Sequence, residues 1–536
     1  MNIQEAPSAE RNPLEQQVKE RDVIIGRQAA KITEQEELIL VLTSKMYEKQ
    51  EELGQCVQQI EDLGGQLEAL AEQVETLQDK VKKNSSNSSL PPSSDRFGRQ
   101  KRTRSLRKRS GKKPGGQPGH LGQTLQLVAD PDETVVHAVE CCEYCQRDLR
   151  QVQSLRQERR QVITLPEKRR VVIEHHTESK CCPCCQTVTV APFPANVKAP
   201  IQYGADIGAV AVYLNCQQLQ PLGRTAQIMA DLLDCPISAG TVLSMIERCA
   251  GQLVEIEEQI KAALIVARVT HHDETGCYVG GKRWWDHSCS TETLTHYGVH
   301  PRRGREAMDA IGILPKRRGI SIHDDWASYW SYENCEHGSC NVHHLRDLKY
   351  QAEEKGQSWA ADLITVLLDM VQAVQAAQAK GETSVDPVLR AELLSGYEKA
   401  IAAGYKAHPP PPAPARPKRG KRKQSPARNL LDRLSTHHDA VLRFLDDFDV
   451  PFDNNLAERD IRMVKLKQKI SGCFRSTDGA EEFARIRGYL STLRKQGMNL
   501  LLSLEQALLG YPILPISLSL SESADFIGTK HAPSSH

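Results

Sequence analysis

Three carboxylates in distant segments have the chemistry to hold divalent cations. Asp273 and Asp324 each end an apolar run that predicts a β-strand, and Glu458 lies on a predicted helix over residues 453–470. If the two strands are parallel neighbours, their carboxylates converge at one edge of a sheet. Carboxylate oxygens suit two Mg²⁺ or Mn²⁺ ions, and a pair about 3.5–4 Å apart can activate a nucleophile and stabilise a leaving oxygen in phosphodiester cleavage. The chain has 68 Asp and Glu residues, so spacing alone does not identify these three.

Charged neighbours extend this candidate site. Asp325 directly follows Asp324 and is an alternative ligand. Glu458 and Arg462 share a helix face at i and i+4, and Arg459 adds a second cation beside the third carboxylate. Both arginines are therefore candidates to bind the phosphates of a scissile DNA strand.

Further histidines, cysteines and tryptophans near these acids each have two interpretations. The flanking histidines could assist a proton transfer, although two-metal chemistry needs no histidine base. The Cys and His residues after Asp324 could bind a second zinc or serve as structural residues, and the tryptophans could stack on unpaired bases or pack in the core. In order, these sets are His271, His272 and His323; Cys335, His337, Cys340, His343 and His344; and Trp284, Trp285, Trp326 and Trp330.

A cysteine-rich segment at residues 125–195 predicts a structural zinc site. Seven of the 16 cysteines lie between 141 and 185, in two doubled clusters. Two C-x-x-C turns can surround one tetrahedral Zn²⁺, since each turn presents two sulfurs on one side. We assign the ligands as Cys142, Cys145, Cys182 and Cys185. The doubled cysteines leave Cys181 and Cys184 as the alternative pair, and unliganded or redox-active thiols remain a further alternative.

The N-terminal residues 14–83 carry a heptad repeat typical of a coiled coil. Apolar residues recur every seven positions from Val18 to Val81. The second apolar position of the repeat is Leu at 63, 70 and 77 but polar at Gln28, Gln35 and Lys49. We expect a homodimer or higher oligomer, with an amphipathic helix folding back on its own domain as the alternative.

Two basic segments are candidates to bind DNA phosphates. The flexible linker at 84–124 has ten Lys or Arg and no acid between residues 96 and 113, and seven more cations lie between 416 and 428 after a run of prolines. A solvated linker is the alternative for the first segment. Its candidate DNA-binding residues are Arg102, Arg104, Arg107, Lys108 and Arg109.

The remaining segments predict helices around a mixed catalytic domain. Residues 200–258 read as helices with Ser238 as an N-cap, and either a helix-turn-helix contacting DNA or a plain helical connector fits them. Residues 262–508 predict a three-stranded meander, further strands and a helical and basic insertion at about 345–450. Residues 509–536 read as a dispensable tail.

Composition places few limits on function. Net charge is +1, averaged over acidic and basic stretches, and 39% of residues are apolar. The sequence shows no run that we expect to span a bilayer, and its N-terminus lacks a secretory signal. We therefore expect a cytoplasmic protein with no membrane partner.

Several motifs in the same order resemble the insertion-sequence-66 family of bacterial transposases, over residues 14 to about 508. They are LPPSSD at 90–95, GGQPGH at 115–120, the paired cysteines, DET at 273–275, Asp-x-Trp-x-x-Tyr at 324–329, Cys-Asn-Val-His at 340–343 and DNNLAERDIR at 453–462. The family's usual Asp-Gly-Tyr reads Asp324-Asp325-Trp326 here. KQKISGCFRSTDGAEEF also replaces the commoner Arg-Lys-Asn version after the Glu helix.

This resemblance implies an α/β, ribonuclease H-like fold and a catalytic triad carried here by Asp273, Asp324 and Glu458. The implied activity is DNA transposition. The chain would bind the terminal repeats of its element and target DNA, with accessory transposition proteins as further possible partners. The alternatives are a nuclease of the same fold that cuts without strand transfer and an inactive zinc-ribbon protein that only binds DNA.

Overall fold

The computed structural model describes residues 13–83, 87–88, 127–156, 158–163, 165–166, 169–410 and 424–518. The chain divides into two compact units. The first consists mainly of helix α1 (Pro13–Lys82), which confirms the predicted long helix. Its heptad residues are exposed, with Ile60 at 67% and Leu67 at 72%. Pairing of this helix with a second copy stays a prediction.

In the second unit, residues 127–199 form little regular structure. Strand β1 (Ser179–Cys181) pairs antiparallel with β2 (Val188–Val190). The β-favouring run at 169–177 pairs with no strand among the described residues, and Val172 and Ile173 are exposed. Among the described residues of this segment, paired strands are therefore limited to one short hairpin, because these apolar side chains have no buried surface to pack against.

The helical segment ahead of the sheet forms four helices, the first of which continues as a π-helical turn at Tyr213–Gln217. Ser238 caps the third of these helices as predicted, and its side chain accepts a hydrogen bond from the Thr241 N–H at 3.0 Å. These helices share one apolar core with the sheet and the C-terminal helices. Residues 200–258, predicted as a helical domain of their own, therefore pack into the same core as the sheet that follows them. The helices are α2 (Ala205–Val212), α3 (Leu222–Leu233), α4 (Ala239–Gln252) and α5 (Val254–Val266).

A five-stranded mixed sheet lies at the centre of this unit. The predicted antiparallel meander is confirmed as β3–β4–β5, and β6 and β7 add to β3 in parallel, giving the order β5-β4-β3-β6-β7. The arrangement is compatible with a ribonuclease H-like domain. The strands are β3 (Val269–Val279), β4 (Lys282–Ser290), β5 (Thr295–His300), β6 (Ile320–His323) and β7 (Glu336–Ser339). Helix α6 (Arg305–Ile311) follows β5.

The insertion is helical as predicted, and it has its own apolar core against β6. Asp386 and Ser425 cap two of its helices, each followed by a proline at the first helical position. The helices are α7 (Asn341–Glu354), α8 (Ser358–Ala379), α9 (Pro387–Ala407), α10 (Pro426–Thr436) and α11 (His438–Asp446).

Helix α8 is long and apolar enough to cross a membrane by length and composition alone. The expectation that the sequence contains no such run was therefore wrong. Trp359, Leu363 and Leu367 on this helix are buried in the core of the insertion. The length and apolar composition of α8 are therefore also those of a core helix.

Three C-terminal helices complete the fold, namely α12 (Asn455–Ser471), α13 (Thr477–Lys495) and α14 (Leu500–Leu509). Helices α12 and α13 lie against the sheet. Beyond α14, Leu518 is 4% exposed and belongs to the main core, so the predicted tail begins later than residue 509.

Candidate active site

Strands β3 and β6 bring Asp273 and Asp324 to equivalent positions. The strands are parallel, with His271 opposite Ile322. Asp273 lies two residues after His271, and Asp324 lies two residues after Ile322. The two acids therefore lie at the same height along neighbouring parallel segments. The predicted convergence of these segments is confirmed by the strand register. Asp324 Oδ1 also accepts a hydrogen bond from the Trp326 N–H at 3.1 Å, which orients the carboxylate.

Helix α12 is fixed along β3 by hydrogen bonds at its start and further along its length. At its start, the Asn454 amide donates to the His272 carbonyl at 2.7 Å, and its oxygen lies 2.9 Å from His271 Nδ1. Further along, Lys465 Nζ donates to the Gly276 carbonyl at 2.8 Å. Asn454 is 2% exposed, so these bonds form out of water. The helix therefore holds Glu458, in its first turn, beside the middle of β3.

Two basic groups lie beside Glu458. Arg462 Nη2 is 3.0 Å from Glu458 Oε2, in the predicted i and i+4 relation. His343, from α7, approaches the other carboxylate oxygen to 3.6 Å through Nε2. The Glu458 side chain is 16% exposed, whereas that of Arg462 is 63% exposed. The carboxylate thus faces inward while its arginine partner faces solvent.

Burial and neighbouring acids make Asp273 electrostatically unusual. Burial raises the pKa of its carboxyl well above the ordinary value, and the charges of Glu274, Asp324 and Glu458 raise it further. The Glu274 N–H, at 2.8 Å from Oδ1, only partly opposes this. A half-buried carboxylate among other carboxylates favours a bound cation. Even so, the described residues contain no group of three or more Asp, Glu, His or Cys side chains arranged around one metal position.

Asp325, the alternative ligand, is engaged in a separate buried contact. Its Oδ2 lies 2.8 Å from His344 Nε2, an ion-pair distance without hydrogen-bond alignment, and its Oδ1 accepts from the Ser339 hydroxyl at 2.6 Å. Burial opposes its ionisation, but His344 lowers the pKa of Asp325 far below the ordinary value. Asp325 also has φ of +64°, a left-handed conformation in which glycine is easiest. These contacts occupy both carboxylate oxygens of Asp325, whereas Asp324 is among the acids whose charges act on Asp273.

Glu274 forms a buried network that the sequence did not predict. Arg303 Nη2 lies 2.6 Å from Glu274 Oε1, and the Tyr329 hydroxyl donates to Oε2 at 2.5 Å. Burial and the charge of Asp324 raise the pKa of Glu274 to about 7, although Arg303 and Tyr329 lower it. Arg303 is 29 positions away in the sequence, so no local spacing indicated the pair.

The flanking histidines are committed to structural contacts. His271 contacts Asn454, His272 Nε2 is 2.9 Å from the Thr270 hydroxyl, and His323 Nε2 is 2.9 Å from His337 Nδ1. Burial lowers the pKa of His271 and His272, and that of His323 to about 3. This favours the structural interpretation over proton transfer.

The two predicted zinc turns have the same backbone geometry. Gln146 N–H donates to the Cys142 carbonyl at 2.9 Å, and Gln186 N–H donates to the Cys182 carbonyl at 2.9 Å. Both glutamines have positive φ, at 59° and 57°. Cys142 and Cys182 therefore start equivalent turns that end at Cys145 and Cys185, which agrees with the assigned set rather than with the alternative.

One thiol in each turn has a lowered pKa, although the turns are not brought together. Backbone N–H groups of Cys145 and Tyr144 lower the pKa of Cys142, and hydrogen bonding with Thr187 lowers the pKa of Cys185 to about 7. Thiolates are the form that binds Zn²⁺. Within the described chain, however, no three of the cysteines surround a common point. The Cys and His residues after Asp324, considered as a second zinc site, are likewise dispersed. Cys340 Sγ accepts a hydrogen bond from the Asn454 N–H at 3.2 Å, while His344 pairs with Asp325.

The candidate DNA-binding residues fall into two groups. Arg459 and Arg462 are exposed on α12 next to Glu458. The five residues of the first basic segment lie outside the described residues, as does most of the second segment. They are Arg102, Arg104, Arg107, Lys108 and Arg109.

Comparison with known families agrees with this arrangement. Residues 200–482 match the model described as "Transposase IS66 family". That range contains all five strands of the central sheet and the three candidate acids. Residues 42–126 match a family of unknown function, DUF6444, which overlaps the end of α1 and the basic linker.

One curated protein has a partial likeness to the chain. The uncharacterized protein y4jO of Sinorhizobium fredii is 37% identical over 70 residues. The match covers 13% of this chain and 22% of that protein, about a fifth of its length. It therefore adds no functional assignment.

Proposed function

Because the chain belongs to the IS66 family of transposases, we propose that it binds the terminal inverted repeats of its own element, cleaves a strand at each end and transfers the freed 3′-hydroxyls to target DNA. The observation that carries the proposal is the juxtaposition of Asp273 on β3, Asp324 directly after the parallel strand β6, and Glu458 on α12.

The donor set fits two Mg²⁺ or Mn²⁺ ions, since all three groups are carboxylates and Asp273 is half-buried among like charges. Such ions would activate the attacking oxygen and stabilise the leaving oxygen. Asp273, Asp324 and Glu458 would hold them, while the anchors from α12 to β3 keep Glu458 in place. The exposed Arg459 and Arg462 would bind phosphates of the scissile strand.

The reaction is balanced without an energy-supplying cofactor. In the first step water attacks phosphorus and the bond to the 3′ oxygen breaks, leaving a 3′-hydroxyl. In the second step this hydroxyl attacks a phosphodiester of the target, so one phosphodiester bond forms as another breaks. Neither step requires an oxidant or a nucleotide.

The other segments support a role in holding DNA ends, within a fold proposed as ribonuclease H-like. We propose that Cys142, Cys145, Cys182 and Cys185 bind one structural Zn²⁺, that the two basic segments contact phosphates, and that α1 pairs with α1 of a second copy as a coiled coil. The equivalent cysteine turns and the exposed heptad residues support this. Two ends require two catalytic subunits. Cytoplasmic location and accessory transposition proteins are further parts of the proposal.

The test uses the inverted repeats that flank the coding gene as labelled DNA, with purified full-length protein and Mg²⁺. Asp273→Asn should keep binding the repeats and lower cleavage by more than about 10²-fold, since losing a metal ligand removes several kcal/mol of charge stabilisation. Asp324→Asn should match it. Asp325→Asn is the comparison, because Asn tolerates positive φ and leaves the three acids intact.

The outcomes separate the alternatives. A labelled strand covalently joined to target DNA supports transposition. Cleavage with no joined product indicates a nuclease of the same fold, and binding with no cleavage by the parent indicates a DNA-binding protein. Equal cleavage by Asp273→Asn and the parent would contradict the assignment of the metal ligands.

A further inference from the structure

The four tryptophans considered as base-stacking candidates have different environments. Trp330 stacks on His437 with ring centroids 3.6 Å apart, and Trp284 packs against the main core. Both are therefore used internally. Trp285 and Trp326 are half-buried and contact arginines, and Trp326 also packs against a small apolar cluster that includes Tyr329.

Two arginines and these two tryptophans alternate in a row, here named the Arg–Trp ladder (Arg283, Trp285, Arg303 and Trp326). The Arg303 guanidinium carbon lies 4.0 Å from the Trp326 ring centroid and 5.0 Å from that of Trp285. The Arg283 guanidinium carbon lies 4.7 Å from the Trp285 centroid. These distances place each cation within reach of a ring face.

The ladder begins at the candidate active site. The Trp326 N–H donates to Asp324 Oδ1, and Arg303 is held by buried Glu274, the neighbour of Asp273. Strand β4 then carries Trp285 and Arg283 towards its exposed start. One end of the ladder is thus fixed next to the candidate metal ligands, and the other end reaches solvent.

The ladder's surroundings are basic and open. Lys282, Arg302 and Arg305 are exposed on the two segments that carry it. Arg302 and Arg305 make only exposed pairs, at 3.8 Å to Glu306 and 3.5 Å to Asp309, which contribute little in water. Arg283 makes no ion pair within the described part of the chain. A polyanion would therefore meet several cations around two indole rings.

We propose that the Arg–Trp ladder binds an unpaired stretch of DNA adjoining the scissile phosphodiester. Bases would stack on the indole of Trp285, displacing Arg283, whose guanidinium would then pair with a phosphate. Stacking suits every base because each has a π face, whereas bases in an intact duplex are unavailable. The inference deepens the proposed function, on which it rests, by giving this side of the active site a single-stranded ligand.

The test measures binding of a 12-nucleotide oligothymidine containing one 2-aminopurine, with full-length protein, no added Mg²⁺ or Mn²⁺, and 0.2 M salt to weaken contacts that are purely electrostatic. Binding to the parent should quench 2-aminopurine fluorescence. Trp285→Ala should weaken affinity about 5–100-fold, as expected for the loss of one stacked base, and should abolish the quenching. Trp285→Phe should restore most of both, and Arg283→Lys should weaken binding while retaining the charge.

Two controls keep the test specific. Tyr511→Ala removes another exposed aromatic, 74% exposed and outside the ladder, and should bind like the parent. Binding to a 12-base-pair duplex should be unchanged in every ladder variant. Parent-like single-strand affinity and quenching in both Trp285→Ala and Arg283→Lys would overturn the proposal.

This test can fail independently of the proposed function. Asp273→Asn should retain single-strand binding and quenching. Stacking by a parent protein that never cleaves DNA would support the ladder and contradict the proposed transposase activity. Cleavage by a parent protein that shows no stacking would do the reverse.

Discussion

The central sheet and the cysteine-rich segment at 127–199 hold their candidate ligands in opposite ways. In the sheet, the acids are positioned by residues far apart in sequence, as when Asn454 contacts His271 and His272 more than 180 positions away. In the cysteine-rich segment, each thiol pair is fixed by hydrogen bonds inside one short turn. Tertiary packing therefore arranges the first site, whereas the described residues do not bring the two cysteine turns together, which is the role we propose for Zn²⁺.

The largest effect should come from removing the metal of the cysteine-rich segment. Structural zinc contributes on the order of 10 kcal/mol to small metal-dependent folds, and this segment has almost no buried apolar surface of its own. Cys145→Ser should lose bound zinc and make residues 127–199 sensitive to protease, while fragments from residue 205 onward stay resistant. Zinc content and limited proteolysis measure both effects.

Cys141→Ser is the matched control, since Cys141 precedes the first turn and is not in the assigned set. It should retain zinc. Cys184→Ser should also retain zinc, whereas loss of zinc there with retention in Cys182→Ser would favour the other set of cysteines. Destabilisation of the catalytic domain by Cys145→Ser would contradict the comparison between the two regions.

A smaller effect is expected when the anchor between α12 and β3 is removed. Asn454→Ala leaves the buried His272 carbonyl without its donor and frees the start of the helix that carries Glu458. We expect DNA cleavage to fall about 10–100-fold, which corresponds to one or two lost hydrogen bonds at about 1–3 kcal/mol. Single-turnover cleavage rates at saturating protein measure this.

Asn455→Ala provides a close control. Asn455 is the next residue and is exposed, and its hydrogen bonds are to the nearby Asp453. It should cleave at the parent rate. If both variants cleave alike, the anchor does not position Glu458.

The sequence predicted elements well where local patterns determine them. The meander from β3 to β5, the helical insertion, the Ser238 cap and the long helix α1 all follow from periodicity or capping residues. The parallel pairing of β3 with β6 meets the condition under which the sequence predicts that the two acids converge, although the sequence did not establish that pairing. Family motifs then selected Asp273, Asp324 and Glu458 among many acids.

The contacts that support the site were not predictable in the same way. Arg303 meets Glu274 only after β5 returns beside β4, and Asn454 meets β3 only after the whole insertion. Asn454 lay within a motif that marked the helix, yet nothing local indicated what it would bind. Asp325 has a positive φ where the family usually has Gly, and its side-chain contacts with Ser339 and His344 were likewise not indicated by the neighbouring sequence.

The smallest predicted effect concerns acid stability, which should differ between the two regions. Burial lowers the pKa of His287, on β4, to about 4. Above pH 6.5 both folded and unfolded chains carry this residue neutral, but as the pH falls towards 4 only the unfolded chain takes up the proton. Stability is therefore lost on acidification, and His287 alone should contribute about 1.5 kcal/mol of loss between pH 6.5 and pH 5.

His287→Gln should flatten this part of the pH dependence of unfolding of the catalytic domain, measured by urea denaturation at the two pH values. His176, in the cysteine-rich segment, has a side chain that is 80% exposed, so His176→Gln should leave the dependence unchanged. Parallel pH curves for the parent and His287→Gln would mean that this buried histidine is not what makes the sheet sensitive to acid. If stability depends less on pH in His287→Gln than in the parent, the burial of His287 in the central sheet limits the pH range in which the sheet is stable.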